Sequence, residues 1–515
     1  MKPAVPALGL CLTAALLVGC GGSDDSGGGG GSGEYVDGAT FTMALAGDPG
    51  KLDPHSSAST QLFTVNQLAY DNLVSVDSET GEIRSQLATD WAVDGTTVTL
   101  TLAKDVTCAD GSALTATTVA ENIAYVGDPA NQSAYLGVFL PAGATAKADD
   151  AAGTVTITLA EPAPFVLNGL ASLPMVCDAG LADRASLADS TSGSGPYELT
   201  EAVPGDHYTY ALREGYVWGP DGATTAEKGL PATVVLKIIQ NEGTATNLLL
   251  AGDLNAAAVQ GPDAKRLEAA DLFTTETPAL VGEQWYNHAA GSPASDADVR
   301  MALTQALDLE ELASVATAGA GTPATTLAAI QPTSCPGDSV SGSLPGQDVD
   351  AAKAVLDGKK LTFLYSSAAG SAVAAAAELA VQQWDEAGAT VTAKGVDETA
   401  LQGAVFGSGE WDIAWVPLNV NSPDQLVPFL SGAGPADGGT NFSGIDNAGY
   451  TAGVEAASAT NGVEGCDAWL EAESALFAAA DIVPFANNQV KTYGNGAEFE
   501  YPGQLVPTSI RMLAK

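Results

Sequence analysis

A chain of 515 residues with 62 acidic side chains against 19 Lys and Arg carries a formal charge of −43. Such a surface repels nucleic acid and anionic lipid headgroups, so neither is an expected partner. The length exceeds what one hydrophobic core supports, and two lobes or more are expected.

At the start of the chain Lys2 precedes the apolar run Ala7 to Val18, which ends at Leu17-Val18-Gly19-Cys20. A run of about a dozen apolar residues is short of a membrane-spanning helix. The pattern reads as a lipoprotein export signal over residues 1–19. Cys20 is then the expected lipidation site, holding the chain on a membrane that it does not span. The Gly/Ser-rich residues that follow, to residue 33, form a flexible tether with an average reach of about 20 Å. The expected location is the extracytoplasmic face of the cell membrane, with membrane contact through the lipid anchor alone.

Further along, Thr97 to Leu102 and Thr154 to Leu159 alternate Thr with Val, Ile or Leu, the period of half-buried strands, and each follows a turn-forming glycine, Gly95 and Gly153. Val234 to Ile239 and Leu361 to Tyr365 are further strands. Asp298 to Ala316 has helical spacing at Val299, Leu303, Ala306 and Leu307, and Asp308 with Glu311 restarts the helix as a capping box. A second helix carries Val373, Ala377, Ala380 and Trp384 on one face and ends at Gly388. Interleaved strands and helices place the chain in the α/β class with mixed sheets.

Outside the signal and Cys20, four cysteines remain: Cys108, Cys177, Cys335 and Cys466. In an exported chain they suggest two disulfides, with three connectivities open. No Cys-x-x-Cys occurs, and the histidines, His55, His207 and His288, have no ligand spacing, so no metal site is expected. There is no nucleophile elbow, Walker loop or dinucleotide fingerprint. Neither an enzyme nor a cofactor is expected.

Several short motifs follow one another in a specific order: Leu52-Asp53-Pro54, Ala69-Tyr70-Asp71-Asn72-Leu73-Val74, Leu87-Ala88-Thr89-Asp90-Trp91, Asp110-Gly111 with Leu114-Thr115-Ala116, Gly193-Ser194-Gly195-Pro196-Tyr197, and Val299-Arg300-Met301-Ala302-Leu303 with Ala306-Leu307-Asp308. In this order they resemble the family 5 extracellular solute-binding proteins. The resemblance implies a periplasmic-binding-protein-like class II (cluster C) fold with two lobes, a hinge and an extra domain. Domain I would be assembled from 34–80, 190–282 and 484–515, domain II from 81–189 and domain III from 283–483. Pairing Cys108 with Cys177 and Cys335 with Cys466 keeps each bridge within one of these domains.

A binding cleft needs large apolar walls and a few placed polar groups. Trp411 and Trp415, followed by Asn419, Asn421 and Asp424, are the candidates on one wall. In peptide-binding relatives a Trp and a nearby Asp of this region face the cleft, the Asp pairing with an ammonium group. Here that position falls at Leu418 or Asn419, so either Asp424 takes the role or the ligand lacks the charge. His55 and Ser56 offer polar groups on the other wall, where Ser57 or Ser59 also serves as a helix cap. Tyr286 and Asn287 lie near the crossing into domain III.

The function implied is that of a monomeric substrate-binding lipoprotein of an ABC importer, taking a short peptide or other small molecule and passing it to permease subunits. A chelated metal, haem or sugar-like solute in the same cleft is the alternative, and a surface adhesion or signalling protein is a third reading. The acidic surface admits two readings, attraction of cationic solutes and solubility.

Overall fold

The computed structural model describes residues 34–514, apart from Ala58, Ser78, Glu79, Gln331, Pro332 and Asn461. The export signal, Cys20 and the tether lie outside the described residues.

Two principal sheets organise the chain. The smaller has four strands in the order Ala88–Asp94, Thr97–Leu102, Thr154–Thr158 and Thr145–Asp149. Alternation does what the sequence predicts, because Val98 and Leu100 face Ile157 and Val155 across the antiparallel ladder and all four are buried. Gly95 and Gly153 sit at φ 57° and 68°, the left-handed turns that glycine adopts without strain. Helix Ala116–Gly127 covers this sheet with Val119, Ile123 and Val126, and the Thr115 side chain caps it by accepting from the Thr118 amide.

The larger sheet has ten strands. Their order is Thr390–Val396, Lys360–Ser366, Ile413–Trp415, Phe273–Tyr286, Ile482–Gly494, Ala256–Ala258, Thr40–Leu45, Thr233–Ile238, His207–Leu212 and Tyr197–Val203. Phe273–Tyr286 and Ile482–Gly494 run antiparallel through its middle. One end of the pair joins Ala256–Ala258 and the other joins Ile413–Trp415. Different side chains pack at the two ends: Phe41, Met43, Tyr208, Tyr210, Val234 and Leu236 form one core, and Phe363, Trp384, Trp415 and Phe485 belong to another. Between them the register shifts at Leu280, Gly282 and Glu283. A Cβ at Gly282 would stand 2.4 Å from the Phe485 ring, so only glycine lets that ring pack across the irregularity.

The predicted helix from Asp298 appears as two, Ala297–Gln305 and Leu309–Ala316, restarting where Asp308 Oδ1 accepts from the Glu311 amide at 2.9 Å. Val373, Ala377, Ala380 and Trp384 form the buried face of helix Ser371–Glu386, and Trp384 Nε1 donates to the Leu303 carbonyl at 2.9 Å. The disulfides join Cys108 to Cys177 and Cys335 to Cys466.

The ordered motifs interlock locally. A Cβ at Gly193 would lie 2.2 Å from the Ala69 carbonyl oxygen, and one at Gly195 2.5 Å from the Ala69 carbonyl carbon. Both glycines are therefore fixed by backbone packing against the Ala69-Tyr70 segment. Asp71 beside them is buried and accepts from Tyr216 Oη, Trp218 Nε1, Ser194 Oγ and Gln86 Nε2 at 2.7 to 3.0 Å.

Candidate functional site

Strand Ile413–Trp415 delivers the chain into the segment 416–424. Trp415 lies in the core, 2 % exposed, with Nε1 donating to Gln284 Oε1 at 3.1 Å and its ring 5.0 Å from the rings of Phe363 and Phe485. Trp411 packs on Phe442, and its carbonyl accepts from Asn287 Nδ2 at 2.8 Å. Tyr286 is buried with its hydroxyl bonded to Thr304 Oγ1 and Gln284 Nε2. Trp415 and Asn287 thus tie the end of strand Phe273–Tyr286 to the 409–415 segment, while Tyr286 ties it to helix Ala297–Gln305.

Asn419 makes a two-point clamp on Leu280, its Oδ1 accepting from the amide at 2.7 Å and its Nδ2 donating to the carbonyl at 3.1 Å. The loop is thereby tied to the strand where the register shifts. The Asn421 carbonyl accepts from the Ser334 amide at 2.8 Å, while its buried side-chain oxygen has no partner within the protein. Asp424 accepts from Ser422 Oγ at 2.5 Å, and the Phe165 backbone N–H lies near enough to favour its ionised carboxylate. Burial, opposed by these bonds, pushes its carboxyl up to about 6.

Phe165 comes from a distant part of the chain, beyond the four-stranded sheet. Its ring packs with Cys335, Ala457, Cys466 and Trp469, and Asn168 beside it donates from Nδ2 to Ser334 Oγ at 3.3 Å. The segment 416–424 is therefore where residues 165–168 meet residues 334, 424 and 469.

His55 and Ser56 lie elsewhere. His55 is buried and stacked near Tyr125 and Tyr135. Its Nδ1 faces Arg184 Nη2 at 3.3 Å, and since a guanidinium only donates, the ring proton sits on Nε2, which donates to the Pro174 carbonyl at 2.8 Å. Burial first and Arg184 second push this imidazole down to about 3, so it is neutral at physiological pH. Arg184 pairs with Asp53 and lies over the Tyr125 ring, so the Leu52-Asp53-Pro54 motif anchors a half-buried charge pair. Ser56 is exposed, donating to the Asp53 carbonyl, and Ser59 caps the helix Thr60–Ala69. His55 and Ser56 are not brought to the 416–424 segment by any hydrogen bond among the described residues.

Two carboxylates that sequence reasoning passed over lie beside this segment. Glu283 Oε2 accepts from the Leu418 amide at 2.7 Å, at the position where the resemblance leads one to expect an aspartate. Glu473 accepts from Ser339 Oγ at 2.5 Å. Burial pushes Glu283 up to about 8 and Glu473 up to about 7. The signal was present: Glu283 is the one charged residue in the run Leu280 to Tyr286, and Glu473 stands four residues after Trp469 on the same helix face. Among the described residues, no group of three or more His, Cys, Asp or Glu side chains is placed to hold a metal ion.

Against known families, residues 82–439 match the profile of bacterial extracellular solute-binding proteins, family 5 Middle. The chain belongs to family 5. The glutathione-binding protein GsiB of Pectobacterium atrosepticum is 27% identical over 296 residues, covering 56% of this chain and 54% of that one. Protein XP55 of Streptomyces lividans is 27% identical over 317 residues, 57% of this chain and 54% of that protein. The chain thus spans about half the length of the curated relatives it matches. A substrate binding protein from Microbacterium hydrocarbonoxydans, solved with 4-hydroxybenzoate hydrazide, superposes with TM-score 0.79 at 27% identity over 92% of this chain and 100% of that one. The dipeptide binding protein of Pseudoalteromonas sp. SM9913 in complex with Met-Leu shares the fold, with TM-score 0.77 at 18% identity, again over 92% and 100%.

The family 5 chain accordingly has the class II periplasmic-binding-protein-like α/β fold, with two lobes and mixed sheets. Its relatives are solute-binding proteins of ABC transporters, not enzymes. Among the described residues no helix is long and apolar enough to cross a membrane.

Proposed function

We propose that this protein captures short peptides between its two lobes and delivers them to the permease of an ABC importer, as a monomer held by lipid at Cys20 on the outer face of the cell membrane. The lobes in this reading are domain I (34–80, 190–282, 484–515) with domain II (81–189), and domain III (283–483). The observation that carries it is the meeting of Phe165 and Asn168 with Asp424 and Ser334, which joins residues of opposite lobes through a few polar bonds and one small apolar cluster. A contact of that size can open, and a solute that binds both walls shifts the balance toward closure. The strands Phe273–Tyr286 and Ile482–Gly494, with their register shift, are the proposed hinge.

Peptide as the solute class draws on the glutathione-binding relative and on the Met-Leu complex. The 4-hydroxybenzoate hydrazide held by the Microbacterium protein favours a second reading, a small non-peptide solute. Mass spectrometry of solute retained through gentle purification separates them. Peptides of variable sequence support the proposal, and a single non-peptide compound overturns the peptide assignment.

The lobe contact should depend on pH. Burial pushes Asp424 up to about 6, against 3.8 in water, with the Phe165 N–H opposing the shift; where opening returns this carboxyl to water, the closed form binds the extra proton. Closure is then favoured most below pH 4 and loses this contribution as pH rises from about 4 to about 6, with no further change above. The wild-type fraction closed, measured by an interlobe distance probe relative to Asp424→Asn, should fall across that window. Parallel curves for the two proteins would remove Asp424 from the contact.

A further inference from the structure

The Cys335–Cys466 disulfide lies where the proposed lobes meet, and its cover comes from both of them. Cys335 is 3% exposed and Cys466 8%. Packed around them are Ala457 and Trp469, with Val427 and Val454 at the edge, all from domain III, and Phe165 from domain II. The Phe165 ring stands 6.5 Å from the Trp469 ring. Nearby, Asn168 of domain II reaches Ser334 Oγ, one residue before Cys335. The part of the cover that the lobes do not share is therefore Phe165.

What the bridge holds in place is irregular chain. Between helices Leu309–Ala316 and Val349–Leu356 the described residues form no helix or strand, and a single ladder bridge joins Thr322 to Asn487. This stretch carries Ser334 and meets the 416–424 segment through backbone bonds, the Ile330 amide to the Val420 carbonyl at 3.1 Å and the Ser334 amide to the Asn421 carbonyl at 2.8 Å. Chain held by a few such bonds opens at low cost. The covalent tie to helix Cys466–Ala478 thus fixes where Ser334 stands to receive Asn168.

Thiol–disulfide exchange needs a thiolate to reach a bridge sulfur. With the lobes together both cysteines are buried, and parting them withdraws Phe165 from one side of the cluster. The Cys108–Cys177 bridge gains no such access, because it is buried in the core of the smaller sheet and its cover lies within one lobe.

We infer that Cys335–Cys466 is a redox-responsive site that lobe closure gates: a captured solute shields it from dithiol reductants, and its reduction in the open form frees the Ser334 stretch and weakens capture. In the exchange a thiolate of the dithiol attacks one cysteine sulfur and the other cysteine leaves as a thiolate. The second thiolate of the reductant then displaces the first cysteine. The bridge gains two electrons and two protons, and the dithiol becomes a cyclic disulfide. The inference rests on the reading that Phe165 and Cys335 belong to lobes that part.

The test treats the full-length protein with dithiothreitol, alkylates the freed thiols and follows the four cysteines by mass spectrometry, with and without a saturating tripeptide library. Retention of the library is measured in parallel by equilibrium dialysis. Where it is retained, reduction of Cys335–Cys466 should slow about tenfold or more as the open population falls, while Cys108–Cys177 changes by less than about twofold. Without solute, Phe165→Ala should speed reduction of Cys335–Cys466 about tenfold, and an unchanged rate at Cys108–Cys177 reports that the fold is kept. If the library is retained but Cys335–Cys466 is reduced at the same rate, or both bridges slow alike, the inference is overturned and peptide capture stands. A wild-type rate in Phe165→Ala overturns it too. If no peptide is retained, peptide capture fails, and the Phe165→Ala rate alone decides whether lobe contact gates the bridge.

Discussion

Asp71→Ala is expected to remove about 4 kcal/mol or more of folding stability, a third or more of what a typical domain has. Asp71 is 1% exposed and gathers four donors from separate parts of the chain: Gln86, Ser194, Tyr216 and Trp218. Alanine leaves all four buried with no acceptor. Each unsatisfied donor costs about 1 to 3 kcal/mol, less in sum because the cavity lets water or neighbours relieve part of it. Asp71→Asn keeps the shape but turns an NH₂ group toward donors, and about half the loss is expected. Urea titration reads both. A midpoint within error of wild type for Asp71→Ala would mean that the hub is dispensable.

Removing the Cys335–Cys466 bridge should have a comparable effect on stability and a second effect on binding. The bridge spans 131 residues, for which the chain-entropy relation gives about 5 kcal/mol as an upper value. Its cysteines also pack with Phe165 and Trp469, and the Phe165 backbone N–H acts on the Asp424 carboxyl. Cys335→Ala with Cys466→Ala should therefore lower stability by about 3 to 5 kcal/mol and weaken solute affinity. The Cys108–Cys177 bridge, spanning 69 residues, lies in the core of the smaller sheet. Its removal should lower stability similarly while leaving affinity close to wild type. Equal losses of affinity from the two double variants would contradict the placement of the first bridge at the lobe contact.

What the sequence makes legible divides along physical lines. Local periodicity announced the paired strands at Val98 and Ile157, the restart of the helix at Asp308 and the apolar face ending in Trp384, because each depends on neighbours within a few residues. The Gly193 to Tyr197 motif also pointed to a constrained turn, although its reason, contact with Ala69 and Tyr70, is a long-range fact. The candidate site was less legible for the same reason. Trp415 and Tyr286 look like cleft walls in one dimension, yet partners such as Gln284, Phe485 and Thr304 hold them in the core. His55 looks like a polar loop residue until Arg184 and Pro174 are brought to it. Glu283 escaped notice although a single carboxylate inside the otherwise uncharged run Leu280 to Tyr286 is a signature of costly burial, which is unusual without a compensating role.

At Leu418 the backbone amide meets the carboxylate of Glu283. A side chain that cannot pair with a cation stands where the family resemblance leads one to expect an aspartate, and the loop instead offers its amide to a carboxylate from the neighbouring strand.

The central claim, that two lobes close on a solute, is tested most directly by the distance between spin labels at Glu121 and Glu455, exposed positions on helices Ala116–Gly127 and Ala448–Ser458. With the solute recovered from the protein added to saturation, the distribution should narrow to a single short distance, and without it a longer population should appear. A distribution that is the same with and without saturating solute would contradict the account.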